Sequence, residues 1–183
     1  MRVITGTARG RKLREPAGEA IRPTTDMVKE AIFNIIQFDI EGRRVLDLFA
    51  GTGQLGIEAL SRGAASCVFV DEAPEAVKLV RQNLENCELR GDVRQDESLR
   101  YISRADKFDL IFLDPPYGTK LLDKALQKIY EFDILTDGGI IVCEHSREVP
   151  VADAPAPYIK GREYRYGKVI LTIIEKKESR DRL

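Results

Sequence analysis

From residue 44 onward, short apolar runs alternate with helical patterns, and that alternation leaves few folds open. "RVLDLF" precedes a helical stretch at 54–62, "CVFVD" one at 74–86, "LRGDVRQ" one at 97–104 and "FDLIFLD" one at 119–131, and "GIIVCEH" closes the series. Five such units predict an α/β chain with a parallel sheet and helices on both faces, since parallel neighbours need a crossover long enough to hold a helix. The period is clearest at 119–131, where Leu121, Leu122, Ala125, Leu126 and Ile129 share one stripe. After the proline-rich "VPVADAPAP", the runs "REYRY" and "KVILTIIEK" meet at Gly167 and read as an antiparallel hairpin that closes the sheet edge.

Ahead of the sheet lies a different piece. "RVITG" and "RKLRE" flank Ala8 to Gly10 as a basic β-hairpin, followed by "IRPTTD" and the amphipathic helix "MVKEAIFNIIQF". A chain of 183 residues suits one domain. Residues 1–41 therefore read as a hairpin and helix extension too short to bury a core alone, 42–176 as the core domain and 177–183 as a frayed tail.

The net charge of −1 hides an uneven distribution. Residues 1–22 hold six Lys/Arg against two Asp/Glu and residues 160–183 hold eight against four, so two basic ends flank an acidic middle. Such asymmetry marks either a nucleic-acid surface or two solvated arms. On the first reading Arg9, Arg11, Lys12 and Arg14 are candidates for phosphate contacts, which position RNA without reading its sequence. Arg22 and Thr24 in "RPTTD" would touch phosphate or help close a site, while Thr24 or Thr25 equally reads as a helix cap.

No apolar run approaches the roughly 18 residues of a membrane span, and "MRVITGTARGRK" has no signal-peptide core, so the expected address is the cytoplasm. Cys67, Cys87 and Cys143 are too scattered for a disulfide framework or a zinc site, and no metal is expected. His145, the one histidine, excludes a His-based metal cluster and reads as structural.

Two stretches carry chemistry. "LDLFAGTGQLG" follows the first core strand, and its Gly51, Gly53 and Gly56 satisfy G-x-G-x-x-G, with Asp71 placed 20 residues after Gly51 to hold a ribose diol. That pattern also fits a dinucleotide. Asp47, just before the loop, would repel a pyrophosphate but attract the ammonium and sulfonium of S-adenosylmethionine. Phe49 belongs to the same loop, and Asp96 at the end of the third strand would accept from the adenine amine. The plain alternative makes Asp47 and Asp96 strand-end polar residues.

The second stretch is "FDLIFLDPPYGT". Two prolines end the strand and hold Asp114, Pro115, Pro116 and Tyr117 in a set arrangement rich in acceptors, with a ring beside them. An exocyclic amine on a flat base supplies what that arrangement lacks: two N–H groups and a π face. A strand end with a tight turn is the alternative.

Taken together, "RPTTDMVKEAIFNII", "VLDLFAGTGQLGIEALSRGA" and "FDLIFLDPPY" resemble the bacterial 16S ribosomal RNA (guanine-N2) methyltransferase family, over nearly the whole chain. Thr52 and Gln54 depart from the Ser and Ala common there, without touching the glycines. The resemblance implies a Rossmann-like class I methyltransferase fold with a seven-stranded, mostly parallel sheet, and S-adenosylmethionine as donor. It implies guanine N2 in 16S rRNA or a small-subunit particle as acceptor; a monomer is expected. The rivals are a DNA adenine-N6 methyltransferase, for which no target-recognition domain is evident, and a non-catalytic RNA-binding module on the same fold.

Overall fold

The computed structural model describes residues 1–17 and 25–178. Helix α1 (Asp26–Ile35) leads into β1 (Arg44–Asp47), α2 (Gln54–Ser61), β2 (Ser66–Asp71), α3 (Pro74–Asn86) and β3 (Asp92–Gln95). Then follow α4 (Ser98–Ile102), β4 (Phe108–Leu113), α5 (Leu121–Phe132), β5 (Leu135–Ser146), β6 (Tyr158–Tyr166) and β7 (Val169–Lys176).

The strands form one seven-stranded sheet in the order β3-β2-β1-β4-β5-β7-β6, parallel except for β7, which runs antiparallel to both of its neighbours. The chain starts at β1, winds outward to β3, then returns to β4 on the other side, so the order reverses between β1 and β4. Such a switch point opens a crevice at the carboxyl ends of the strands.

Strand alternation sorts the apolar side chains into two cores. Val45, Phe69, Leu110, Phe112 and Val142 face one way, against Ile32 and Phe33 of α1, Leu55 and Ile57 of α2 and Val80 and Leu84 of α3. Leu46, Val70, Ile111, Leu113 and Cys143 face the other, against Ile102 of α4 and Leu122, Leu126 and Ile129 of α5. Each fully buried Leu or Ile contributes about 1.5–3 kcal/mol, so the near-continuous apolar strands are what hold the layers together.

Several boundaries differ from the sequence reading for local reasons. The expected helix at 97–104 shortens to α4 because the Glu97 carboxylate caps it, accepting the N–H groups of Leu99 and Arg100. The strand expected at 162–166 begins at Tyr158, running through Gly161 with a register shift. Thr25 caps α1, its hydroxyl accepting the Val28 N–H at 3.3 Å. The N-terminal hairpin forms only one bridge, between Arg2 and Lys12, with no regular strands. The cysteines are buried free thiols, and His145 is buried with Nε2 2.8 Å from the Thr172 hydroxyl.

Candidate active site

The glycine loop is shaped by what surrounds it. Gly51 and Gly53 hold φ of +55° and +79°, a left-handed conformation that costs a side-chain-bearing residue energy. Gly56 is required by packing instead, since a Cβ there would sit 2.3 Å from the Phe69 ring and 2.7 Å from the Cys67 sulfur. Asp47 closes the loop from beneath, its Oδ2 accepting the Gly56 N–H at 3.0 Å. Burial raises the Asp47 carboxyl to about 7; the Gly56 hydrogen bond opposes the rise and the nearby Asp71 charge adds to it. Asp71 completes the frame, accepting from Gly51 N–H at 2.9 Å and Ala73 N–H at 3.0 Å.

On the other side of the switch point, β4 ends at Leu113 and the two prolines follow. Asp114 is half-buried and Pro115 buried, while Tyr117 is 43% exposed and donates its hydroxyl to Glu144 Oε1 at 3.2 Å. Thr119 pins the turn by donating to the Pro116 carbonyl at 2.8 Å.

One cavity of about 520 Å³ joins the two pieces. Among the described residues its lining carries six carboxylates, from Asp47, Asp71, Glu72, Glu97, Asp114 and Glu144, and no Lys, Arg or His. They are spread along the crevice: among the described residues no group of three or more His, Cys, Asp or Glu is placed to hold a metal ion. A lining of this charge repels phosphate and favours a ligand that carries cationic groups and no phosphate, such as S-adenosylmethionine. Of the residues expected at the site, Asp47, Phe49, Gly51, Asp71, Asp114, Pro115, Pro116 and Tyr117 all line this cavity. Gly53 shapes the turn without lining it.

Asp96, expected to accept from the adenine amine, is placed differently from the other site residues. Its carboxylate is turned to Arg100 and Arg104 and accepts the Glu97 N–H, and it does not line the cavity. Burial would raise its carboxyl, but the two arginines hold it below the usual carboxylate range. Its neighbours Glu97 and Ser98 line the wall. Glu144 was not foreseen at all, because it sits inside an apolar run next to the more conspicuous His145. Arg22 and Thr24 lie outside the described residues.

The basic hairpin is docked on the core. Glu58, fully buried, accepts the N–H groups of Ile4 at 2.8 Å and Thr5 at 3.0 Å, and Ser61 Oγ accepts that of Ala8 at 3.0 Å. Lys29, also fully buried, donates to the Arg2 carbonyl at 2.5 Å and lies 3.8 Å from Glu58. The Asn83 amide ties the hairpin to the glycine loop, donating to both the Arg14 and the Thr52 carbonyls. Of the expected phosphate ligands, Arg9, Lys12 and Arg14 are exposed, whereas Arg11 donates to Glu88 at 2.8 Å and to the Asn86 carbonyl at 3.1 Å.

No described helix is long and apolar enough to cross a membrane. The model of the family described as conserved hypothetical protein 95 matches residues 1–175. A Bacillus subtilis (strain 168) protein named as a candidate rRNA methyltransferase, YlbH, is 44% identical over 183 residues, covering 97% of this chain and 100% of the relative. The ribosomal RNA small subunit methyltransferase D of Haemophilus influenzae is 34% identical over 157 residues, covering 82% and 81%. A solved structure of a candidate methyltransferase of Escherichia coli, yhhF, superposes with a TM-score of 0.88 at 29% identity, covering 98% of this chain and 99% of that one.

Proposed function

The chain belongs to the family of the small-subunit ribosomal RNA methyltransferases D, and we propose that it methylates the N2 amine of a guanine in that RNA with S-adenosylmethionine as donor. The observation that carries the reading is the cavity itself, where the described residues between the glycine loop and Asp114 to Tyr117 supply six carboxylates and no cation. An NAD pyrophosphate would meet repulsion there, and so would the RNA backbone, which leaves a neutral base as the part of the RNA that enters.

Bound in the cavity, S-adenosylmethionine supplies a methyl group activated by its sulfonium. Asp71, anchored by two backbone N–H groups, keeps lone pairs for ribose hydroxyls. Asp47 places a negative charge beside the cationic part of the donor. Gly51 lets the ligand approach the backbone closely. Asp114 and the Pro115 carbonyl accept the two hydrogens of the guanine amine, which pulls its lone pair out of conjugation with the ring and aims it along the line of displacement. Tyr117 stacks on the base and fixes its plane. Catalysis is then mainly alignment and charge, and the proton leaving the product amine passes to a carboxylate or water.

The test is methyl transfer from labelled S-adenosylmethionine to unmodified 16S rRNA, both naked and in small-subunit particles, followed by digestion to nucleosides. Label in N2-methylguanosine supports donor and acceptor together. Label only in N6-methyladenosine of DNA would replace the acceptor, and no label with either nucleic acid, despite donor binding, would remove the catalytic reading.

A further inference from the structure

Glu144 lies 5% exposed on β5, in a sheet interior where a carboxylate is costly unless something uses it. Its position is set by register. Leu113, the last residue of β4, pairs with Cys143 of β5, so Asp114 and Glu144 are the next residues of two neighbouring chains, whose usual spacing is about 4.8 Å. Both line the cavity, and the Tyr117 hydroxyl holds Glu144 Oε1 at 3.2 Å.

We propose that Glu144 is the base-selecting residue: its carboxylate accepts the N1–H of the target guanine while Asp114 accepts from the neighbouring N2 amine. The inference rests on the guanine reading above. Guanine presents N1–H and N2–H side by side, two donors in a row. Two adjacent carboxyl groups offer acceptor oxygens in a row, and each oxygen has room for more than one hydrogen bond, so the Tyr117 contact and a base contact are compatible. Adenine and cytosine place a lone pair next to their exocyclic amine. Either base could still give its amine to Asp114 but would set that lone pair against Glu144 and leave the Glu144 acceptor unpaired in a buried site. A site built to hydrogen-bond a particular N–H rejects an analogue lacking it far better than an apolar pocket does. Tyr117 then has two tasks, stacking through its ring and orienting Glu144 through its hydroxyl.

The probe is an RNA substrate whose methyl-accepting guanine is replaced by 2,6-diaminopurine, which keeps the 2-amine but has a lone pair at N1. The wild-type enzyme is expected to use the guanine RNA at least about 100-fold better in kcat/KM. Because the analogue also changes position 6, Glu144→Gln supplies the second arm. Its amide can donate to N1 of the analogue, so the preference is expected to shrink about 10-fold or more while S-adenosylmethionine affinity stays within about threefold of wild type. Equal use of both RNAs by the wild type overturns the proposal without needing any variant. So does a Glu144→Gln enzyme that binds the donor but loses both RNAs alike or neither. Failure of the parent reading looks different, with no N2-methylguanosine from the unaltered RNA.

Discussion

The carboxylate of Asp47 accepts the backbone N–H of Gly56 at 3.0 Å, so the last residue of β1 ties down the first turn of α2 from across the glycine loop. Asp47 is only 2% exposed, and burial makes its carboxylate ionise reluctantly, near pH 7, despite the Gly56 hydrogen bond. The charge that would attract a cationic donor is thus only partly developed at neutral pH. Donor binding and ionisation of Asp47 favour each other.

The sign of the pH dependence follows. A carboxyl raised from 3.8 to about 7 on folding contributes stability that is full below about pH 4 and is lost as pH climbs to about 7. A cationic ligand prefers the ionised form, so S-adenosylmethionine affinity is expected to rise about tenfold from pH 6 to pH 8. Asp47→Asn should bind more weakly and flatten the profile. Calorimetric titration at the two pH values checks this; a wild-type affinity equal at both would show that Asp47 is not the group coupled to the donor.

Gly6 meets Ser61 so closely that a Cβ at residue 6 would lie 1.8 Å from the Ser61 carbonyl oxygen, and its φ of +91° already disfavours any side chain. Gly6→Ala should therefore lift the hairpin and cost about 1–3 kcal/mol. Hydrogen exchange at residues 3–13 is expected to quicken while β1 and β4 keep their protection. Unchanged exchange at 3–13 would mean the hairpin is held elsewhere.

How far the sequence could show this depends on where each partner lies. The strands of the parallel sheet and α3, opened by Pro74, were legible because apolar runs and a helix-starting proline are local signals. The hairpin read as a charged arm because its cations are visible in sequence. Its anchors are not: Glu58, Ser61 and Asn83 lie 53 to 69 residues away, and only folding brings them to it. The ion pairs of Asp96 were half legible, since Arg100 lies four residues on while Arg104 lies eight away. Glu144 had no local sign at all; only the pairing of Leu113 with Cys143 sets it beside Asp114.

The hairpin cations separate by their surroundings. Arg9 and Lys12 are exposed, while the charge of Arg11 is offset by Glu88 at 2.8 Å. Arg9→Ala with Lys12→Ala should weaken RNA binding and reduce the slope of log affinity against log salt by about two, and Arg11→Ala should change the slope less than either single substitution. Filter binding across a salt series measures this. An Arg11 effect larger than the other two would mean RNA displaces Glu88.

Asp114 bears the heaviest load in the acceptor half of the site. Of the two groups assigned to the target amine it is the one with a side chain to remove, because the Pro115 carbonyl belongs to the backbone. Asp114→Ala should lower methyl transfer at least about 100-fold, while donor affinity, set by the glycine loop and Asp71, stays within a few-fold. RNA affinity should also persist, since the exposed hairpin cations lie outside the cavity. Single-turnover transfer with donor and RNA both saturating separates chemistry from binding. Near-wild-type transfer by Asp114→Ala would mean the amine is held by other groups, whereas loss of donor binding would make Asp114 part of the cofactor half of the cavity.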